Sequence, residues 1–154
     1  MNKEEIKEGE IAPDFVATNE NGETIRLTDL KGKITVLYFY PKDDTPGCTK
    51  EACDFRDKSS QITDKNTQVI GVSPDNMESH KKFKDKYNLQ YTLICDEQNE
   101  ISKKYDVYKL KKMYGKEYMG IERSTFIIDE SLRIQKIFRK VKVENHINEI
   151  LSNL

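Results

Sequence analysis

The sequence predicts an α/β domain in which a mixed central β-sheet is flanked by helices, with an added β-hairpin at its N-terminal end. Three observations carry this expectation. Ile34-Thr-Val-Leu-Tyr-Phe-Tyr40 is an unbroken β-branched and aromatic run, the pattern of a strand buried on both faces. Strand-like and helix-like segments alternate after it, which calls for crossover helices over a parallel core. Two hairpin signals bracket that alternation and contribute antiparallel strands.

Taken in order, residues Phe15–Thr18 and Thr24–Leu27 flank Asn19-Glu-Asn-Gly-Glu23, where Asn21-Gly22 marks a tight turn. Pro41 stops the central run, because proline has no N–H to give to a ladder. Beyond the loop Pro41–Gly47, Cys48, Ala52, Phe55, Ser59 and Ile62 recur at spacings of four and three, one face of a helix. Val69–Ser73 reads as a strand, and Met77–Tyr87 as a charged helix with Met77, His80, Phe83 and Tyr87 along one side. Tyr91–Cys95 reads as a further strand and Glu97–Tyr105 as a short helix. The basic residues from Lys103 to Lys116 read as a solvated helix and loop surface. Ser124–Ile128 and Ile134–Phe138 flank Asp129-Glu-Ser-Leu132 as a second hairpin, and a final helix is expected from about Val143 to Leu151. This order is the general plan of a thioredoxin-like domain, with residues 1–154 forming one unit.

Composition narrows the function. Apolar residues make up 36% and charged residues 34%, enough for a core beneath a heavily charged surface. The 26 basic residues against 27 acidic ones give a net charge of −1, without the basic excess of a nucleic-acid-binding face. The run Met1–Glu10 is charged and lacks the apolar core of a signal peptide, and no apolar stretch approaches a membrane span. The expected location is therefore cytoplasmic, where structural disulfides are rare. Cys48, Cys53 and Cys95 are then buried thiols, metal ligands or redox groups rather than staples. The two histidines, His80 and His146, lie far from them in sequence, so no zinc-type spacing is present. His80 is expected to pack or hydrogen-bond on a helix face rather than act as a catalytic base.

The chemistry concentrates in Tyr40-Pro-Lys-Asp-Asp-Thr-Pro-Gly-Cys-Thr-Lys-Glu-Ala-Cys-Asp-Phe55. It lies where the carboxyl end of a central strand passes through a loop into a helix, a common place for sites in open α/β sheets. Thr45-Pro46 reads as an N-cap followed by proline at the first helical position. Cys48 then falls in the first turn, where unpaired N–H groups and the positive dipole end favour a thiolate. Arg123 is the candidate cationic neighbour. Cys53 lies five residues on, about 140° around an ideal helix and roughly 8–9 Å away between Cα atoms. A disulfide tolerates no more than about 7 Å. Either Cys53 is structural, or the first turns unwind so that it can reach Cys48.

Pro41-x-x-x-Thr45-x-x-Cys48 resembles the active-site motif of the peroxiredoxins, and the extension to Cys53 is similar to their bacterioferritin comigratory protein, or Q-type, branch. Ala12-Pro-Asp-Phe15, Val69-Ile-Gly-Val-Ser-Pro-Asp75, Ser79-His-Lys-Lys-Phe83 and Glu122-Arg-Ser-Thr-Phe-Ile-Ile-Asp129 resemble further blocks of that family in its order. The resemblance implies a thiol peroxidase for hydrogen peroxide and small organic hydroperoxides, serving antioxidant defence. It implies that Cys48 attacks the peroxide and becomes a sulfenic acid, which Cys53 resolves as an intramolecular disulfide. Thr45 and Arg123 would hold the thiolate and the peroxide in line, and Pro41 would shield the pocket. It implies a thioredoxin or similar dithiol as reductant, a monomeric protein, and no metal, haem, flavin or other cofactor. Cys95 departs from the pattern, since relatives commonly carry a small residue such as serine there. It is expected to be a small buried residue near the sheet edge, with a resolving role as the alternative. A thiol–disulfide oxidoreductase is the competing reading of such a fold. Those proteins use Cys-x-x-Cys, whereas this chain has Cys-x4-Cys with Pro41, Thr45 and Arg123.

Overall fold

A computed structural model describes residues 6–154. The expectation that the N-terminus lacks a signal-peptide core falls partly on residues 1–5, which lie outside the described residues. The N-terminal hairpin forms as β1 (Val16–Asn19) and β2 (Thr24–Arg26), with Val16 opposite Arg26. Asn19 shapes its turn: the side-chain oxygen accepts from the amides of Asn21 and Glu23, each at 2.9 Å. Gly22 supplies the positive φ that the reversal needs.

The alternation follows as β3 (Ile34–Phe39), α1 (Pro46–Asp57), α2 (Ser59–Thr63), β4 (Thr67–Ser73), α3 (Met77–Tyr87) and β5 (Thr92–Cys95). Then come α4 (Glu100–Lys104), a hairpin of β6 (Tyr108–Met113) and β7 (Lys116–Ile121), the pair β8 (Ser124–Ile128) and β9 (Ile134–Phe138), and α5 (His146–Ser152). Seven strands join in the order β2-β1-β5-β4-β3-β8-β9, with β3, β4 and β5 mutually parallel. β8 runs antiparallel beside β3, and β1 antiparallel beside β5. The apolar run is therefore the inner strand that its composition predicts.

Alternation along β3 sends its side chains into two cores. Leu37 and Phe39 join Phe15, Ile94, Tyr105 and Phe126 on one face. Val36, Tyr38 and Tyr40 join Ala52, Phe55, Ile62, Phe83 and Ile150 on the other, beneath α1, α2, α3 and α5. Tyr38 stacks on Phe55 of α1 with centroids 4.8 Å apart. The Tyr91 hydroxyl donates to the Ala52 carbonyl at 3.0 Å, so in the 2.8 Å contact between the two phenols Tyr38 is the donor. These contacts fasten the middle of α1 to the sheet.

Several expectations are corrected. The basic stretch read as helix and loop is a β-hairpin from Tyr108 on. Its lysines mask the strand pattern because most of both faces is wet, and the reversal at Tyr114-Gly115, both at positive φ, carries the hairpin signal instead. The helical face from Cys48 to Ile62 is split at Lys58, which ends α1 and begins α2. α4 starts at Glu100 rather than Glu97, because the Asp96 carboxylate takes the amides of Ile101 and Ser102 and Asn99 turns left-handed. Asn145, also left-handed, delays α5 to His146. Cys95 is half-buried at the end of a strand lying between β1 and β4, not at the sheet edge. Among the described residues no helix is long and apolar enough to cross a membrane.

Candidate active site

The loop between β3 and α1 is positioned by a buried polar network. Asp43 is its hub: it accepts from the Tyr40 hydroxyl at 2.6 Å, from Ser79 Oγ at 2.8 Å and from His80 Nδ1 at 2.7 Å. Its own amide donates to Asp75 Oδ2 at 2.8 Å. The other His80 nitrogen, Nε2, meets the Ile94 carbonyl at 2.8 Å. Both ring nitrogens face acceptors, an arrangement that favours the doubly donating, protonated ring. Burial opposes that charge, but the bond and charge of Asp43, the Ile94 carbonyl and Asp75 together raise the His80 pKa above its ordinary value. Asp43, Asp75 and His80 have ligand-type atoms within 4.8 Å of one another. With its two ring nitrogens on Asp43 and the Ile94 carbonyl, His80 ties the loop to α3 and β5.

Thr45 occupies the N-cap position with extended backbone, and Pro46 is the first helical residue. The cap differs from the expected one: the Thr45 hydroxyl donates to the Lys42 carbonyl at 2.8 Å rather than serving the helix. The first intrahelical bond runs from the Thr49 amide to the Thr45 carbonyl at 2.8 Å. The amides of Gly47 and Cys48 therefore lie in the open first turn, where they can serve an anion. Pro41 is half-buried at the start of the loop.

Cys48 is the third residue of α1 and is 2% exposed. Arg123, two residues beyond the end of β7 and immediately before β8, reaches it from the strand beside β3: Nη2 donates to Cys48 Sγ at 3.3 Å. Nη1 of the same guanidinium donates to Glu51 Oε1 at 2.6 Å. Gly47 permits this approach, because a Cβ there would stand 3.3 Å from Nη2. Burial opposes the charge of Arg123, but Glu51 and Cys48 hold its pKa above the ordinary value.

Glu51 is the site residue that sequence reasoning did not single out. It is 2% exposed and its second oxygen, Oε2, is buried without a hydrogen-bond partner among the described residues. Burial pushes its pKa from 4.5 up to about 7, against the charge and bond of Arg123. Its helical position was the available signal: Glu51 lies at i+3 from Cys48, on the same face. Cys53 is half-buried on α1, and burial raises its thiol pKa, with Arg56 acting the other way. Cys48, Cys53 and Cys95 are all free thiols. Burial first, and then Glu97 and Glu20, push Cys95 up to about 11, and its sulfur lies 3.8 Å from the Asn19 carbonyl.

The motif residues thus place a buried sulfur with an arginine donor at the open end of a helix. Residues 9–137 match the AhpC/TSA family. The chain belongs to this family of peroxiredoxins. Peroxiredoxin Bcp of Bacillus subtilis is 54% identical over 149 residues, covering 97% of this chain and 95% of that protein. Among solved structures, PrxQ of Xylella fastidiosa superposes with a TM-score of 0.91 at 34% identity, covering 97% and 96% of the two chains. The bacterioferritin comigratory protein of Xanthomonas campestris, described for its alkyl peroxide reduction activity, gives 0.86 at 36% identity over 90% and 88%. This peroxiredoxin is thus a thiol peroxidase of the Bcp/PrxQ branch on a thioredoxin-like fold, and it acts on a peroxide with the help of a reductant.

Proposed function

We propose that Cys48 is the peroxidatic residue, Cys53 the resolving one, and a thioredoxin-type dithiol the reductant. The observation that carries the reading is the 3.3 Å donation from Arg123 to Cys48 Sγ at the open first turn of α1. The Cys48 thiolate attacks one peroxide oxygen. An S–O bond forms, the O–O bond breaks, and the departing oxygen takes a proton to leave as water or an alcohol. Sulfur is oxidised to sulfenic acid and the peroxide is reduced. Arg123 and the amides of Gly47 and Cys48 supply fixed donors where negative charge shifts between sulfur and oxygen, and such preorganised groups are the main source of rate. Thr45, held by Lys42, retains hydroxyl lone pairs for the bound peroxide, and Pro41 walls the loop from water. Hydrogen peroxide and small organic hydroperoxides fit a site this closed.

Cys53 then attacks the sulfenic sulfur, the S–S bond forms and water leaves. Both cysteines lie in one unbroken helix, so the step requires α1 to open between them. Exchange with an external dithiol restores both thiols. The test is mass-spectrometric mapping of cysteine states after one equivalent of peroxide, with Cys48→Ser in parallel. A Cys48–Cys53 link and no peroxide consumption by the variant are expected. Turnover by Cys48→Ser would remove the nucleophile assignment, and a Cys48–Cys95 link would replace the resolver.

A further inference from the structure

The β6–β7 hairpin stands outside the seven-stranded sheet and pairs with none of its strands. A two-stranded ribbon gains little from its own pairing in water. This one nevertheless exposes Leu110, Met113, Tyr114, Tyr118 and Met119, each at least 42% accessible. A concentration of exposed apolar side chains marks an interaction surface. The register sorts them: Lys111 opposite Tyr118 and Met113 opposite Lys116 share one face, while Leu110 with Met119 and Lys112 with Glu117 share the other. The first face is closed over by Gly120, whose missing side chain leaves room for the Tyr118 ring and the Lys111 stem.

That face is the one turned to the active site. β7 ends at Ile121, two residues before Arg123, so the hairpin runs directly into the segment whose guanidinium holds the Cys48 sulfur. Lys111 is half-buried, and after burial the strongest influence lowering its pKa is the charge of Arg123. Of the acids nearby, Asp106 is engaged by Lys109 at 3.0 Å and Glu117 by Lys112 at 3.6 Å, while Glu122 acts on Lys111 through its charge without an ion pair. Among the described residues, Lys111 and Lys116 have no ion-pair partner.

We propose that the face formed by Lys111, Met113, Lys116 and Tyr118 is the docking surface for the acidic dithiol protein that re-reduces this enzyme. The inference rests on the catalytic cycle proposed above, in which the reductant is the one macromolecule that must reach the oxidised sulfur at this rim. Its thiolate attacks the disulfide, forming one S–S bond as another breaks and a cysteine thiolate leaves. Its second thiol then displaces the mixed disulfide, so two electrons pass and the reductant departs as a disulfide. A second copy of the chain is a poor occupant, because two such faces would set lysines against lysines. A partner with an apolar patch ringed by carboxylates matches both features of the face.

The test pairs Met113→Glu with Lys116→Glu, both exposed and outside the sulfur pocket. Turnover is measured with an acidic thioredoxin kept reduced by its reductase, and separately with dithiothreitol. For the double variant, kcat/KM for thioredoxin is expected to fall at least about tenfold, as for loss of an apolar contact and reversal of a rim charge. The peroxide rate of the reduced enzyme and the dithiothreitol-driven turnover should not change. Added salt should slow the wild-type thioredoxin reaction and leave the variant's nearly flat. Equal thioredoxin rates in both proteins overturn the inference. Turnover of the wild type by dithiothreitol but not by thioredoxin overturns it together with the assigned reductant, leaving the peroxidase reading intact. A wild-type dimer in sedimentation that the double variant abolishes would give the face to a second copy instead.

Discussion

Arg123 serves two partners with one planar fork, Nη1 on Glu51 and Nη2 on Cys48. A lysine has a single point of charge and cannot hold both. Arg123→Lys is therefore expected to lower the second-order rate with peroxide by about 100-fold or more, the usual cost of losing one preorganised donor. Stopped-flow measurement of peroxide consumption decides it, and a loss of only a few-fold would show that the fork is not needed. Glu51 sets the other side of the balance. As a carboxylate it shares the charge of Arg123 with the sulfur; as a neutral acid it leaves that charge to Cys48. Because its pKa is about 7, the peroxide rate should carry a titration near neutrality. Glu51→Gln should lose that inflection, and an unchanged pH profile would rule the coupling out.

At the scale of one element, α1 has to be firm enough to aim Cys48 and loose enough to release it. Proline at its first position and extended Thr45 before it define where the helix begins. Two ties then hold the segment between the cysteines: Glu51 to Arg123, and the Ala52 carbonyl to the Tyr91 hydroxyl. Each must break before Cys53 can reach Cys48. Removing the second tie with Tyr91→Phe costs about 1 kcal/mol of folded-state bonding. Disulfide formation after the peroxide step should then quicken by roughly fivefold, read from intrinsic fluorescence or quenched-flow thiol trapping. A slower or unchanged rate would mean that opening of α1 does not limit resolution. The start of α1 is the frayed end by position, and amide exchange in the oxidised protein should show lost protection confined to Thr49–Asp54.

For the molecule as a whole, two buried groups make stability depend on pH in the same sense. Unfolded Glu51 ionises near 4.5 and the folded residue near 7, so the native chain holds the extra proton between these values. Stability contributed there falls as pH rises from 4.5 to 7. His80, raised above 6.5 in the fold, contributes fully below 6.5 and loses its contribution as pH climbs through the folded value. His146 runs the other way: burial depresses its pKa, so its contribution is present above 6.5 and lost as pH falls. Urea midpoints of wild type and Glu51→Gln between pH 5 and 8 isolate the first effect. The gap between them should widen in favour of the variant as pH rises, and parallel curves would refute the assignment.

The inner strand Ile34–Phe39, both outer hairpins and the helix carrying Cys48 were legible because each rests on local physics. An unbroken apolar run, an Asn-Gly turn and a proline at a helix start need only their neighbours in sequence. The motif residues Pro41, Thr45 and Cys48 were legible for the same reason, lying within one loop and one turn. The sequence could nominate Arg123 but not bring it to the sulfur, since 75 residues separate them. That meeting depends on β8 pairing with β3, a contact between distant segments. Glu51 went unread because an acidic residue on a helix is ordinarily solvated; only the packing of α1 over the sheet, with Arg123 opposite, turns it inward. The lysine-rich hairpin was hidden too, its strand pattern drowned by charge until the tertiary structure stood it beside the site. The sequence by itself thus determined which sulfur stands at a helix start. Long-range pairing decided which charges surround that sulfur and which surface guards its rim, because charge and burial belong to the folded neighbourhood and not to the residue.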